Sequence, residues 1–179
     1  MKRLAALSLF VALPLLIAAC ASTNGATGDG GSGSTLPTFS ATTLDGATFE
    51  LGDHLGKDVV LISFWATYCE PCKAEMPIIE QLHGRYAKDG LKIVSVALDG
   101  ADTVAGVRPF IKRQRYSFDV VVDEDGTISQ AYNPAGTAPF TVIIGKNGKI
   151  AKQIEGFQAS EAQMLENEVK ALLGLGHAQ

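Results

Sequence analysis

A chain of 179 residues accommodates one domain plus appendages. Its hydrophobic fraction of 46% is ample for a single core, with part of it belonging to an apolar leader. A formal net charge of −4, with no Lys/Arg stripe interleaved with aromatics, removes nucleic acid from the classes of partner.

Residues 1–19 begin with Lys2 and Arg3 and continue as an apolar run. That run has the length of a secretory h-region and is marginal for a spanning helix, which needs about 20 apolar residues. It ends in Ile17-Ala18-Ala19-Cys20, which resembles a bacterial lipobox: small residues before a cysteine that is lipidated and becomes the mature N-terminus. An uncleaved anchor or an ordinary signal peptide are the alternatives. Each of these exports the domain to where disulfides persist. Ala21, rather than Asp, follows the cysteine, which by resemblance to diderm sorting rules favours the outer membrane over the inner and a lipoprotein facing the periplasm. Residues 20–35 are otherwise mostly Ser, Thr, Gly and Asn, with one Asp and no large apolar side chain, and read as a flexible linker with an r.m.s. span of roughly 20 Å.

The folded domain is expected over residues 36–179. Residues 39–50 alternate around Leu44-Asp45-Gly46, a hairpin signal. Residues 58–65 read as a buried strand, followed by a helix over 70–88. In that helix Cys72, Glu75/Met76, Ile79, Leu82 and Tyr86 form one stripe, and Pro77 predicts a kink. A second strand is expected over 91–98, a helix over 104–115, a third strand over 118–122 and a helical turn over 127–132. Strands over 140–144 and 149–154 flank Lys146-Asn147-Gly148, and Ser160 is expected to cap a last helix reaching Leu173. The order βαβ, αβ, ββα gives an α/β class with a mixed sheet.

The chemistry lies in F-W-A-T-Y-C-E-P-C-K-A-E-M-P over residues 64–77. Cys20 ends the leader, so Cys69 and Cys72 form a C-x-x-C pair with no thiol left over. His54, His83 and His177 lie scattered, so no metal site is expected. Where a strand turns into a helix, two intervening residues put both sulfurs on one face of the first turn. The helix dipole and free N–H groups there stabilise the thiolate of Cys69, which makes it the nucleophile and Cys72 the resolving thiol. A structural disulfide, half a metal site or two unrelated thiols are the blander readings. Glu70 repels a neighbouring thiolate and Pro71 fixes the first turn, so the couple is expected to be reducing rather than oxidising. Glu75 falls on the stripe beside the sulfurs, where a partly buried carboxylate would relay protons to or from Cys72; the alternative is a side chain at the stripe's border, pointing to water. Lys73 reads as a solvated surface charge.

These residues resemble the thioredoxin superfamily, and more closely the TlpA–ResA–CcmG group of membrane-anchored thiol-disulfide reductases, which is related to the AhpC/TSA redoxins. The likeness covers residue 36 to the C-terminus. It implies a thioredoxin-like fold: a central mixed sheet flanked by helices, an N-terminal hairpin, and an inserted helix and strand at residues 104–122. It also implies that Trp65, Glu70 and Pro71 belong to the active-site motif and that Glu75 is the group's active-site glutamate. Gly136-Thr-Ala-Pro139 looks like the family's cis-proline loop, in which Ala138 would pair with a substrate segment. The resemblance implies no cofactor beyond the redox-active Cys69–Cys72 disulfide. Its substrates would be oxidised thiols of apocytochrome c or of copper-site proteins, and its electrons would come from a membrane thiol donor of the DsbD/CcdA type. Two positions depart from the pattern. Ser63 stands where plain thioredoxins carry a buried Asp, and Tyr68 where tryptophan is commoner.

Two rival functions use the same cysteines. A thiol peroxidase of the peroxiredoxin branch would need Pro and Thr/Ser where Ile62 and Ala66 stand. A Cu(I) metallochaperone would use both thiolates as soft ligands, with a further ligand from a partner.

Overall fold

The computed structural model describes residues 36–176; the expected leader, Cys20 and the linker lie outside them, as does His177. The chain enters through a hairpin, β1 (Ser40–Thr42) and β2 (Thr48–Glu50), paired antiparallel. Its turn closes through Gly46 N–H to the Thr43 carbonyl at 2.9 Å, with Gly46 at φ 86°, a conformation open to glycine. The centre of the molecule is β3 (Val59–Trp65), V-V-L-I-S-F-W, buried at every position. A strand apolar on both faces must be covered on both, and this one is.

From β3 the chain crosses through α1 (Glu70–Tyr86) to β4 (Leu91–Ala97), parallel to β3, with Gly90 at φ 97° ending the intervening turn. The inserted segment follows. Its helix is a 3₁₀ turn (Val104–Gly106) leading into α2 (Val107–Gln114), and its strand is β5 (Asp119–Val122), parallel to β4 at the sheet edge. Then come α3 (Thr127–Tyr132), the antiparallel pair β6 (Phe140–Ile144) and β7 (Ile150–Glu155), and α4 (Ala162–Leu173). The sheet order is β5-β4-β3-β6-β7, with β6 antiparallel to β3.

Alternation along β3 divides the core. Val59, Leu61 and Trp65 face a layer containing Met76, Ile79 and Leu82 of α1, Phe110 of α2 and Val169 of α4. Val60, Ile62 and Phe64 face Phe49, Leu51, Ile128 and Tyr132. Each fully buried side chain of this size contributes about 1.5–3 kcal/mol. The hairpin docks on the edge strand through Leu44 N–H to the Val120 carbonyl at 2.8 Å, and the Tyr132 hydroxyl donates to the Pro37 carbonyl.

One local expectation is corrected. The last helix is not capped by Ser160. It is entered through a 3₁₀ turn (Ala159–Glu161) in which the Glu161 carboxylate accepts the Gln158 N–H at 2.9 Å, so the cap lies two residues earlier. Helix α1 runs through Pro77 as one assigned element. Lys73 stays at the surface, where its Nζ pairs with Glu70 at 2.8 Å, one turn back.

Candidate active site

β3 ends at Trp65, and its indole packs 5.3 Å from the Phe110 ring of α2. Trp65 is wholly buried, so it supports the motif from beneath and does not line its surface. The chain then turns through Ala66–Tyr68, and this turn is clamped by Asp99, just beyond β4. The Asp99 carboxylate accepts the Thr67 N–H at 2.9 Å and the Thr67 hydroxyl. Asp99 is 2% exposed, a buried acid that had no signal in the sequence beyond its place after a strand.

Cys69 is the N-cap of α1, in extended conformation, and its sulfur accepts the Cys72 N–H at 3.2 Å. Pro71 occupies the first turn, where its missing N–H costs nothing. The two sulfurs are joined in a disulfide, with Cα atoms 5.3 Å apart. They are not equivalent: Cys69 lies at the edge of an open groove, whereas Cys72 is fully buried.

Glu75, one turn after Cys72, is 2% exposed and faces the core. Thr141 Oγ1 on β6 donates to its Oε1 at 2.9 Å, and Oε2 has no partner among the described residues. Burial is the main cause that raises its pKa to about 7; the Thr141 hydrogen bond opposes this and the negative charge of Glu161 adds to it.

The groove beside Cys69 has a volume of about 940 Å³. Tyr68, Pro71, Leu98 and Ala138 supply its apolar surface, and Tyr68 is 66% exposed. Glu70, Asp99, Asp123, Glu124 and Asp125 also line it, and among the described residues no Lys, Arg or His does. The Asp125 carboxyl is held below the usual carboxylate range by hydrogen bonds from Thr127. On the opposite wall the Ala138–Pro139 peptide bond is cis. The loop before it is shaped by buried Asn133, which donates to the Thr137 carbonyl at 2.8 Å and accepts its N–H at 3.2 Å. The Pro139 carbonyl accepts from Gly156 N–H, while neither backbone polar group of Ala138 has a partner among the described residues.

Cys69, Glu70, Pro71 and Ala138 therefore share one groove, with Cys72 and Glu75 directly behind it. Sequence reading missed Asp99, Asn133 and Thr141, polar residues whose partners lie on other segments. Among the described residues no three His, Cys, Asp or Glu side chains gather as a metal site.

The AhpC/TSA family model matches residues 32–153. The chain is 37% identical over 129 residues to the thiol-disulfide oxidoreductase ResA of Bacillus thuringiensis subsp. konkukian, covering 72% of each. It superposes with TM-score 0.68 on a thiol:disulfide interchange protein of the thioredoxin family from Chlorobium tepidum, at 27% identity, covering 78% of this chain and 96% of that one. The exposed lipoprotein thioredoxin Etrx1 of Streptococcus pneumoniae gives 0.61 at 27% identity, covering 72% and 96%. With a mixed sheet, a strand–helix C-x-x-C disulfide and this likeness in both sequence and fold, the chain belongs to the AhpC/TSA family and is a ResA-like thiol-disulfide oxidoreductase of the thioredoxin superfamily.

Proposed function

We propose that this enzyme is an exported reductant of protein disulfides, with Cys69 as attacking thiolate and Cys72 as resolving thiol. The observation that carries the reading is the inequality of the two sulfurs: Cys69 caps a helix at the edge of the groove, and Cys72 lies buried one turn from Glu75. Starting from the dithiol, the Cys69 thiolate attacks one sulfur of a substrate disulfide. A mixed disulfide forms and one substrate thiol leaves. Cys72 gives its proton to Glu75 and attacks Cys69 Sγ, releasing the second substrate thiol and forming the Cys69–Cys72 disulfide. Two electrons pass to the substrate, and a dithiol donor must return them.

A carboxyl group with a pKa near 7 exchanges protons at the pH where both steps run. The free backbone edge of Ala138, beside Pro139, offers a substrate segment one stretch of strand pairing. The acidic lining disfavours an extra thiolate charge at Cys69 and with it a strongly oxidising couple.

The substrates we propose are the oxidised cysteines of apocytochrome c or of copper-site proteins, with electrons from a membrane thiol donor of the DsbD/CcdA type. We further propose that Cys20 carries the lipid anchor, in the outer membrane in preference to the inner. The leader motif supports the anchor, as does the likeness to an exposed lipoprotein thioredoxin, and Ala21 supports the choice of membrane; no described helix is long and apolar enough to cross a membrane.

The Cys72→Ser variant tests the mechanism. It leaves Cys69 able to attack and removes the resolving thiol, so mixed disulfides should accumulate and identify the substrate by mass spectrometry. If the variant captures no partner through Cys69 in oxidising growth, the exchange mechanism is wrong.

A further inference from the structure

Beneath α1 the sheet carries an unusual row. Thr141 on β6 is in register with Ser63 on β3, and Ser63 with Ser95 on β4. Register partners share a face, so three hydroxyls cross the centre of the sheet in line, each 1% exposed. Their neighbours on this face are apolar, among them Leu61, Ile93, Ile143, Met76 and Ile79. Ser63 and Ser95 have no side-chain hydrogen bond among the described residues, whereas Thr141 donates to Glu75. At position 141 a valine would pack equally well, so the hydroxyl does not follow from the core's need for volume. What it adds is a donor aimed at one oxygen of a buried carboxylate.

We propose that Thr141 is the positioning residue of Glu75: its hydroxyl fixes the carboxyl group behind the cysteine pair and sets how tightly that group holds its proton. The two side chains come from different elements, the helix that carries Cys72 and the strand that begins one residue after Pro139. The bond therefore joins the proton-exchanging group to the loop against which a substrate would lie. A hydroxyl donating to a carboxylate stabilises the ionised form, opposing the burial that favours the neutral one. The groups that face Glu75 from elsewhere add no compensating cation. Glu161, at the entry to α4, acts on it with a charge of the same sign. Ser63 on β3 is uncharged, and Cys69 and Cys72 on its own helix are neutral in the disulfide. Thr141 is thus the stabilising contact that the carboxylate has from another element. The proposal rests on the reading of Glu75 as the proton acceptor for Cys72.

The test is a carboxyl-carbon NMR titration of Glu75 in the oxidised protein, where no thiol titrates, for wild type, Thr141→Val and Thr141→Ser. Loss of the hydroxyl in Thr141→Val should move the midpoint up by about one pH unit, a tenfold change in proton affinity. Thr141→Ser, which keeps the donor, should stay at the wild-type midpoint. If Thr141→Val does not fold, Thr141→Ala serves in its place with the same expected direction. An unmoved midpoint in a folded Thr141→Val or Thr141→Ala protein overturns the proposal. So does a Thr141→Ser midpoint displaced as far as that of valine, since packing alone would then explain the shift. The pH dependence of mixed-disulfide resolution is followed in the same variants. If the midpoint moves while that profile does not, the positioning role stands and the reading of Glu75 as proton acceptor fails.

Discussion

Asp99 holds Thr67 through both oxygens of its carboxylate, across 32 residues of sequence. The contact ties the end of β4 to the turn that presents Cys69, so the position of the nucleophile depends on a residue outside the motif. Asp99 is buried and Thr67 half-buried, and a donor left there without its partner costs about 1–3 kcal/mol. Asp99→Ala should therefore lose roughly that amount, a fall of about 3–8 °C in melting temperature for a domain of this size. Thermal unfolding followed by circular dichroism measures it. A variant that melts with the wild type would mean that the clamp is idle.

The buried carboxyl of Glu75 makes stability depend on pH in a defined direction. Its pKa lies near 7 in the folded protein against an ordinary 4.5, so between these values the folded state holds a proton that the unfolded state has lost. Stability from this group is complete below about 4.5 and falls as pH rises through 7, by about 3 kcal/mol in all. Urea unfolding of the oxidised protein at pH 5 and pH 8 should show that loss in the wild type, and Glu75→Gln should abolish it. If both proteins keep the same pH dependence, Glu75 does not titrate as described.

Among the described residues the groove offers carboxylates and no cation. Reduced protein should react faster with a positively charged small disulfide such as cystamine than with an anionic one of equal reactivity, by about threefold to tenfold at low ionic strength. The difference should shrink as salt screens the exposed Glu124 and Asp125. Replacing both by Gln and Asn should narrow it at constant salt. Stopped-flow rates that ignore both salt and the double substitution would refute an electrostatic role for this wall.

Much of the frame could be read directly, because its signals are local. The run from Val59 to Trp65 is apolar on both faces and became the central strand; the stripe from Cys72 through Glu75 and Met76 to Leu82 became the buried face of α1. Asp45-Gly46 and Asn147-Gly148 marked their hairpins, and the C-x-x-C at a strand–helix junction became a disulfide at a helix N-terminus. Periodicity, turn chemistry and cysteine spacing act over a few residues, so they survive without knowledge of the fold. Even so, the local reading misjudged the last helix, where Glu161 reaches back to Gln158 and Ser160 is left inside the turn.

The surroundings of the cysteine pair were decided only in three dimensions. That Glu75 is 2% exposed, rather than turned to water, depends on β6 lying antiparallel beside β3 with Thr141 opposite Ser63. Its hydrogen bond to Thr141 spans 66 residues, and strand order and register choose such a partner. The acidic groove likewise draws Glu70, Asp99 and residues 123–125 from three separate segments. The reaction and the order of elements are written in short-range patterns of the chain. The proton affinity behind the sulfurs and the charge in front of them depend instead on which distant residues the sheet brings together.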